Sequence, residues 1–414
     1  MPKPDLRISV ISDVHVTQFG AGENEFKNAL EFHTKKLPKS DLFLFTGDIA
    51  YQLDSWEDSV CRNIYTSNYD FILNTIESTI PADTPKIFVL GNHEYPQANP
   101  DPALTNKALN TWLAKTGQPA MEHVILNGFH FIKYPVLSWA MESSPETEKW
   151  AMNELSIALS TDPENPVFFV SHIPLHNTVA NAGKEPSSFS EEFRSFLTKR
   201  PRIIHISGHR HTHVLDEKAI FQEGFTSVSA PVCAVGYLTL EGCDYETKPV
   251  FGFSQSLFIE VTGKVVKVFK VDLVSQKVVG RPWVIDLNEA ENGIFPYGKK
   301  RRFEAKRPEF SPEASVCVRT DGECVFATIR QRFLSFDVCV EYYKLMVTDE
   351  NGNEVLAKTV ASDFYNLTLG KNYAPEITFE LPGLTAGSYQ LRVFPMNCFF
   401  AHGETSLSCA FQVD

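Results

Sequence analysis

The sequence contains no apolar run approaching the roughly 20 residues that a membrane-spanning helix needs, which excludes a helical membrane protein. None of its eight cysteines forms a C-x-x-C pair. The N-terminus, MPKPDLRISVISDV, lacks a seven-residue apolar stretch ahead of a small-residue cleavage site. It reads as a first strand rather than a signal peptide, and the expected setting is cytoplasmic, with free thiols. An excess of positive charge is also missing. Lys and Arg number 38 against 51 Asp and Glu, a net charge of −13, the wrong sign for broad capture of a polyanion, so no nucleic-acid polymer is expected as a partner. Phosphate chemistry on this chain would have to use locally placed cations. Apolar residues are plentiful, 43% hydrophobic against 21% charged, which supports a packed core rather than disorder. At about 150 residues per domain, 414 residues suggest two to three domains.

Arg7 to Ile11 is a short β-branched run followed by a helical pattern from Glu23 to Lys36. That strand-then-helix unit recurs. Asp41 to Phe45 precedes Trp56 to Ile80, Lys86 to Leu90 precedes Pro102 to Lys115, Pro166 to Val170 precedes Ser190 to Lys199, and Arg202 to Ile206 closes the series. Apolar runs of this length between helices predict strands buried on both faces, the α/β pattern. A hairpin about Asn127-Gly128 interrupts the series over Val124 to Tyr134, and Ser144 with Pro145 marks the start of the next helix. From Phe225 to Ile285 the pattern is strands only, which predicts a second sheet layer. Between Asp286 and Ser315 periodicity disappears, and the run Lys299-Lys300-Arg301-Arg302 reads as part of a solvated linker, residues 286–314. After it, alternating strands with turns at Asp321-Gly322 and Asn351-Gly352 predict a β-sandwich of roughly 100 residues, 315–414. Within this part, Gly383 to Asn397 places Tyr389, Leu391 and Val393 after a Leu-x-x-Gly turn. The stretch resembles the tyrosine-corner region of fibronectin type III domains, which implies an all-β Ig/fibronectin III-like sandwich.

The chemistry concentrates where the strand-like runs end. Asp13-Val14-His15 follows the first, Gly47-Asp48 the second, Gly91-Asn92-His93-Glu94 the third, His172 the fourth and Gly208-His209-Arg210-His211 the fifth. In a parallel α/β sheet, strand C-termini share one edge, where ligands bind, so five remote segments can converge on one site. The spacing of two within Asp13/His15 and His209/His211 puts each pair on one side of an extended backbone. Each glycine before a candidate donor points to a positive φ or a close backbone approach.

Two carboxylates, Asp13 and Asp48, four imidazoles, His15, His172, His209 and His211, and the Asn92 amide oxygen make a mixed N/O donor set. Such a set suits Mn, Fe or Zn. Seven donors are too many for one tetrahedral ion and suit two ions sharing a carboxylate. Two dications, two carboxylates and a bridging hydroxide leave about one positive charge, which fits a phosphodiester monoanion undergoing in-line displacement.

The series D-x-H, G-D-x-x, G-N-H-E, a lone His after a strand and G-H-x-H resembles the motif series of the calcineurin-like metallophosphoesterases. It spans Asp13 to His211. The resemblance implies a two-layer β-sandwich flanked by helices over residues 1–285, with Asp13, His15 and His211 on one ion, Asn92, His172 and His209 on the other, and Asp48 bridging. His93 is implied as the catalytic residue that hydrogen-bonds the phosphate and assists the leaving group. Gly47 to Tyr51 also matches the G-D-x-x-Y of purple acid phosphatases, but His15 stands where that group has glycine and fills the tyrosine's place. The D-x-H form with G-N-H-E is similar to cyclic-nucleotide and acid-sphingomyelinase-like phosphodiesterases, so a small phosphodiester is the expected substrate. A phosphomonoesterase, a nuclease and a non-catalytic binding scaffold are the competing readings. Among neighbours, His176 is a candidate substrate contact, His213 a supporting residue, Glu94 a loop anchor and His205 structural, while Arg210 is expected to point away from the ions.

Overall fold

The computed structural model describes residues 3–16, 22–50, 59–96, 102–141, 143–180, 182–183, 189–234, 254–331, 340–364 and 376–414, with 59–67 described in backbone only. Described residues up to 299 form one compact unit and those from 300 onward another. The first unit opens with β1 (Leu6–Ile11), α1 (Glu23–Lys35), β2 (Leu42–Phe45), α2 (Ser59–Thr79), β3 (Lys86–Phe88) and α3 (Pro102–Thr116). A hairpin, β4 (Glu122–Leu126) and β5 (Phe129–Lys133), follows, then α4 (Pro145–Thr161), β6 (Val167–Val170), α5 (Glu191–Leu197) and β7 (Ile203–Ser207). Strands β8 (Ile220–Gln222), β9 (Thr226–Ser229), β10 (Gln255–Thr262), β11 (Val265–Asp272) and β12 (Lys277–Asp286), with helix α6 (Leu287–Glu291), complete it.

Local signals place several of these elements. Asn127 and Gly128 both have positive φ, 50° and 84°, as a two-residue hairpin turn requires. Ser144 caps α4 by accepting from the Thr147 amide at 3.1 Å, with Pro145 leading the helix. Leu287 and Ala290, inside the segment expected to be linker, are buried in α6.

Among the described residues the strands form two mixed six-stranded sheets, in the orders β12-β11-β10-β1-β2-β3 and β4-β5-β6-β7-β9-β8. Strands β1, β2 and β3 are parallel in the first, and β5, β6, β7 and β9 in the second. The apolar runs explain the layering. Ile11, Phe43, Phe45 and Phe88 pack with Phe26, Leu30, Ile72 and Trp112 of the first three helices. Ile8, Val10, Leu42, Leu44 and Ile87, on the opposite face of that sheet, are buried too. In the second sheet Ile132, Val167, Phe169 and Ile203 pack with Leu155, Ala158 and Phe193 of α4 and α5, while Phe131, Phe168, Ile204 and Ile206 are buried on the other face. The architecture is a two-layer β-sandwich flanked by helices. The five strands that precede the candidate donors are therefore divided, three in one sheet and two in the other, rather than lined along a single parallel edge.

The second unit contains α7 (Arg301–Glu304) and seven strands among its described residues: β13 (Ser315–Asp321), β14 (Cys324–Arg330), β15 (Tyr342–Asp349), β16 (Glu354–Ala361), β17 (Glu376–Glu380), β18 (Gly387–Met396) and β19 (Leu407–Val413). They pair antiparallel as β13-β14-β17 and β16-β15-β18-β19 around Ala327, Leu345, Val347, Leu391 and Val393. Tyr389 Oη donates to the Thr385 carbonyl at 2.8 Å. No helix among the described residues is long and apolar enough to cross a membrane.

Candidate metal centre

The candidate donors stand just beyond the strand ends, in turns that the backbone reaches at a cost. Asp13, His15, Asp48, His209 and His211 all have positive φ, between 46° and 71°, each costing on the order of 1–2 kcal/mol. The pairs spaced by two therefore meet through left-handed turns, not the extended backbone that the spacing suggested. Hydrogen bonds hold these turns: the Asp13 amide to the Gly47 carbonyl at 3.1 Å and the His15 amide to the Asp48 carbonyl at 3.0 Å. The His209 amide donates to both oxygens of Asp13, at 3.2 and 3.1 Å, and Ser12 Oγ donates to Asp13 Oδ2 at 2.5 Å. Close approach explains two of the glycines. A Cβ on Gly91 would lie 2.1 Å from Asp48 Oδ1, and one on Gly47, whose φ is 97°, would lie 2.5 Å from the His172 ring.

Two donor groups able to hold a metal ion result. In the first, Asp13, His15 and His211 bring one ligand atom each to within 4.8 Å of the others. His211 Nε2 is 3.2 Å from Asp13 Oδ1 and 3.1 Å from His15 Nε2. In the second, Asp48, His172 and His209 do the same. His15, Asp48 and His93 form a third grouping that overlaps both. Each of the first two groups draws on both sheets: Asp13, His15 and Asp48 follow β1 and β2, whereas His172, His209 and His211 follow β6 and β7.

Asn92 Oδ1 is buried and makes no hydrogen bond, and beside it in the cluster Asp48 Oδ2 and His172 Nε2 face each other at 3.0 Å. A buried acceptor without a partner is costly, and a cation would satisfy Asn92 Oδ1. The orientation of His172 adds to this. Its Nδ1 donates to the Thr46 carbonyl at 2.7 Å, so in the neutral ring Nε2 is left as the ligating nitrogen.

The electrostatics agree. Burial works to raise the Asp13 carboxyl, but the hydrogen bond and charge of His211, then the charge of His172, outweigh it and hold the group at about 2. Burial opposes the Asp48 carboxylate likewise, and His172 and His93 hold it well below the usual range. For His172, burial favours the neutral ring, yet the Asp48 carboxylate carries it up to about 9. Burial takes His15 down to about 3. The buried anions thus call for positive charge in their midst.

Glu94 fixes the loops that carry Asp48 and Asn92. One of its oxygens accepts from the amides of Gly91 at 2.6 Å and Asp48 at 3.1 Å, the other from Ile49 at 2.9 Å and Ala50 at 3.3 Å. Burial, with Asp48 second, pushes its carboxyl up to about 8. His93, next to it, donates its amide to Asp48 Oδ1 at 2.8 Å, and its Nε2 lies 3.9 Å from Asp48 Oδ2. The Asp13 and His172 side chains are wholly enclosed, while 18% of the His93 side chain is exposed. Solvent reaches the cluster on the side of His93 and the half-buried His209.

The fold thus brings the acidic and imidazole donors into one cluster, with the Asn92 loop pinned against it. His176, half-buried, is in none of the donor groups, and its carbonyl accepts from the Arg194 guanidinium. His205 is buried between the hydroxyls of Ser171 and Ser227, and His213 accepts from the Leu215 amide at Nδ1, 3.1 Å away, with its Nε2 2.8 Å from the Gln255 side chain. Arg210 is buried. Tyr51 lies outside the described residues. Sequence reasoning missed the Thr46 carbonyl, Ser12 and Trp139, whose ring stands 4.8 Å from that of His93. Ser12 adjoins a candidate donor, but nothing in the sequence marks the other two.

A family model for calcineurin-like phosphoesterases matches residues 6–213, just over half of the 414 residues. The chain belongs to that family. The match takes in all seven candidate donors, from Asp13 to His211. Solved structures similar to this calcineurin-like phosphoesterase include GAP50, the anchor in the inner membrane complex of Plasmodium, at 15% identity over 68% of this chain and 88% of that one, with a TM-score of 0.42. Vps29 complexed with zinc from Entamoeba histolytica is 12% identical over 68% of this chain and 100% of its own, with a TM-score of 0.31. A conserved uncharacterized protein, a predicted phosphoesterase from Streptococcus pneumoniae, is 10% identical over 67% and 96%, with a TM-score of 0.28. No curated protein matches the chain.

Proposed function

We propose that this calcineurin-like phosphoesterase hydrolyses a small phosphodiester with two transition-metal ions, Mn, Fe or Zn. The observation that carries the reading is the pair of donor groups, each within 4.8 Å, beside the buried Asn92 amide oxygen, which has no hydrogen-bond partner. Asp13, His15 and His211 would hold one ion, Asn92, His172 and His209 the other, and Asp48 would serve both. Such ions, when bound, withdraw charge from phosphoryl oxygens and lower the pKa of water.

The protein's own groups complete the chemistry. Burial keeps His93 below the ordinary histidine value, so at pH 7 it is a neutral imidazole, suited to donating an N–H hydrogen bond to the departing oxygen. In the reaction a water oxygen forms the new bond to phosphorus, the P–O bond to the leaving group breaks, and a water proton ends on the departing oxygen. The partly open side at His93 and His209 admits substrate there, and His176 is proposed as a contact further out. Two dications would leave about one positive charge once the Asp13 and Asp48 carboxylates and a hydroxide nucleophile are counted, which matches a singly charged diester. We read the second unit as a fibronectin III-like module, supported by the Tyr389–Thr385 hydrogen bond.

The test is hydrolysis of bis(p-nitrophenyl) phosphate, cyclic nucleotides, head-group diesters and phosphomonoesters by protein loaded with Mn, Fe or Zn, alongside metal analysis. Two ions per chain and metal-dependent cleavage of diesters ahead of monoesters are expected. Protein that takes up no ion, or that cleaves nothing when loaded, would refute the proposal.

A further inference from the structure

We propose that Trp139, in the turn after β5, is a positioning residue for His93; the inference rests on the phosphoesterase reading above and deepens it. The His93 ring lies between two others. His15 meets it edge-on at a centroid distance of 4.8 Å and an interplanar angle of 86°, and Trp139 at 4.8 Å and 82°. An imidazole with one aromatic neighbour can still swing about χ1. With an edge-to-face partner from each of two remote segments, its plane is set, and such contacts contribute roughly 0.5–1.5 kcal/mol each.

The segment that carries Trp139 is itself anchored to the loop that carries His93. Tyr95, two residues after His93 and fully buried, donates its hydroxyl to the Val136 carbonyl at 2.9 Å. The Met141 amide closes the turn onto the Ser138 carbonyl at 3.1 Å, and Val136 is itself buried. Trp139 and Met141 pack against the core shared by the first three helices. The indole is thus a fixed wall on one side of the ring whose Nε2 faces Asp48, at the side of the cluster that solvent reaches. It touches no candidate metal donor in the described contacts, so its influence runs through His93. An hydrogen bond to a leaving-group oxygen depends steeply on placement, which is what a rigid aromatic wall secures.

The test is a double-mutant cycle on the metal-loaded full chain, with bis(p-nitrophenyl) phosphate and the less reactive diphenyl phosphate as substrates. Trp139→Ala is expected to lower kcat about tenfold with KM unchanged, and more for diphenyl phosphate, whose leaving group needs more assistance. Trp139→Phe should restore most of the rate. His93→Ala should cost about 100-fold, and adding Trp139→Ala to it should cost nothing further. Losses that multiply in the double variant, a rise in KM in place of the fall in kcat, or failure of Trp139→Phe to restore the rate would each overturn the positioning role while leaving the phosphoesterase reading intact. A loaded wild-type protein without hydrolysis would overturn that reading, and this role with it.

Discussion

His172 Nε2 lies 3.0 Å from Asp48 Oδ2, while its Nδ1 is committed to the Thr46 carbonyl. A carbonyl can only accept, so Nδ1 carries the hydrogen, and a neutral His172 would set one lone pair against another in a buried site. A positive charge must resolve this, either a proton on Nε2 or a metal ion beside it. Without an ion, the Asp48 carboxylate overcomes burial and keeps the ring protonated up to a pH of about 9.

Metal uptake at pH 7 should therefore expel that proton. Calorimetric titration with Zn or Mn in two buffers of different ionisation enthalpy should show about one proton released per chain. The release should vanish above pH 9 to 10, where His172 is already neutral. A buffer-independent enthalpy at pH 7 would contradict the assignment.

Asp48→Asn keeps the shape of the side chain and its acceptor for the His93 amide, but removes the charge. The expected loss in hydrolysis of bis(p-nitrophenyl) phosphate is about 10³-fold, with unchanged far-UV circular dichroism. Asn92→Ala should behave in the same direction, because its buried amide oxygen has no other partner. Wild-type rates in either variant would remove both residues from the site.

Glu94→Gln tests the anchor between the Asp48 and Asn92 loops. Each carboxylate oxygen takes two amide donors, so a glutamine would turn its own N–H groups toward two of them. A loss of about 3 kcal/mol in urea unfolding is expected, together with weaker metal retention on dialysis. Unaltered stability would mean that the loops hold their positions without this residue.

His33 and His205 give the fold an acid limit of their own. His33 is buried between the hydroxyls of Ser9 and Ser256, at 2.6 and 2.7 Å, and burial lowers both histidines to about 3. Between pH 6.5 and 3 the unfolded chain binds a proton at each that the folded chain refuses. Stability is therefore full above pH 6.5 and falls as pH falls, by roughly 1.4 kcal/mol per pH unit for each histidine. Denaturant unfolding from pH 7 to pH 4.5 measures the slope. In the His33→Gln variant it should be shallower by about one proton, and an identical slope would exclude His33 as a contributor.

The donors could be read from the sequence because each follows a strand that is recognisable by itself, so their convergence needed only the rule that ligands gather at strand ends. Their local conformation could not be read the same way. A spacing of two says extended chain, and nothing about Asp13 or His211 announces a positive φ; tertiary hydrogen bonds impose it. The division of β1 to β3 and β6 to β7 between two sheets was hidden for a similar reason, since strands buried on both faces look alike whichever sheet they join. Glu94 was legible as an anchor, but its four amide donors were not. Trp139 left no trace, because an aromatic residue after a hairpin is ordinary until its neighbour is known.

The two donor groups each take side chains from both layers of the sandwich. An ion held there would act as a rivet, fastening one layer to the other at one rim, while at the opposite rim the ion pairs Lys264–Glu164 and Arg202–Glu291, at 3.2 and 3.6 Å, join the layers. Stripping the ions should then loosen the molecule from the riveted rim inward. Amide exchange should quicken first beyond the ends of β1, β2, β6 and β7, and the far edge of both layers should stay closed.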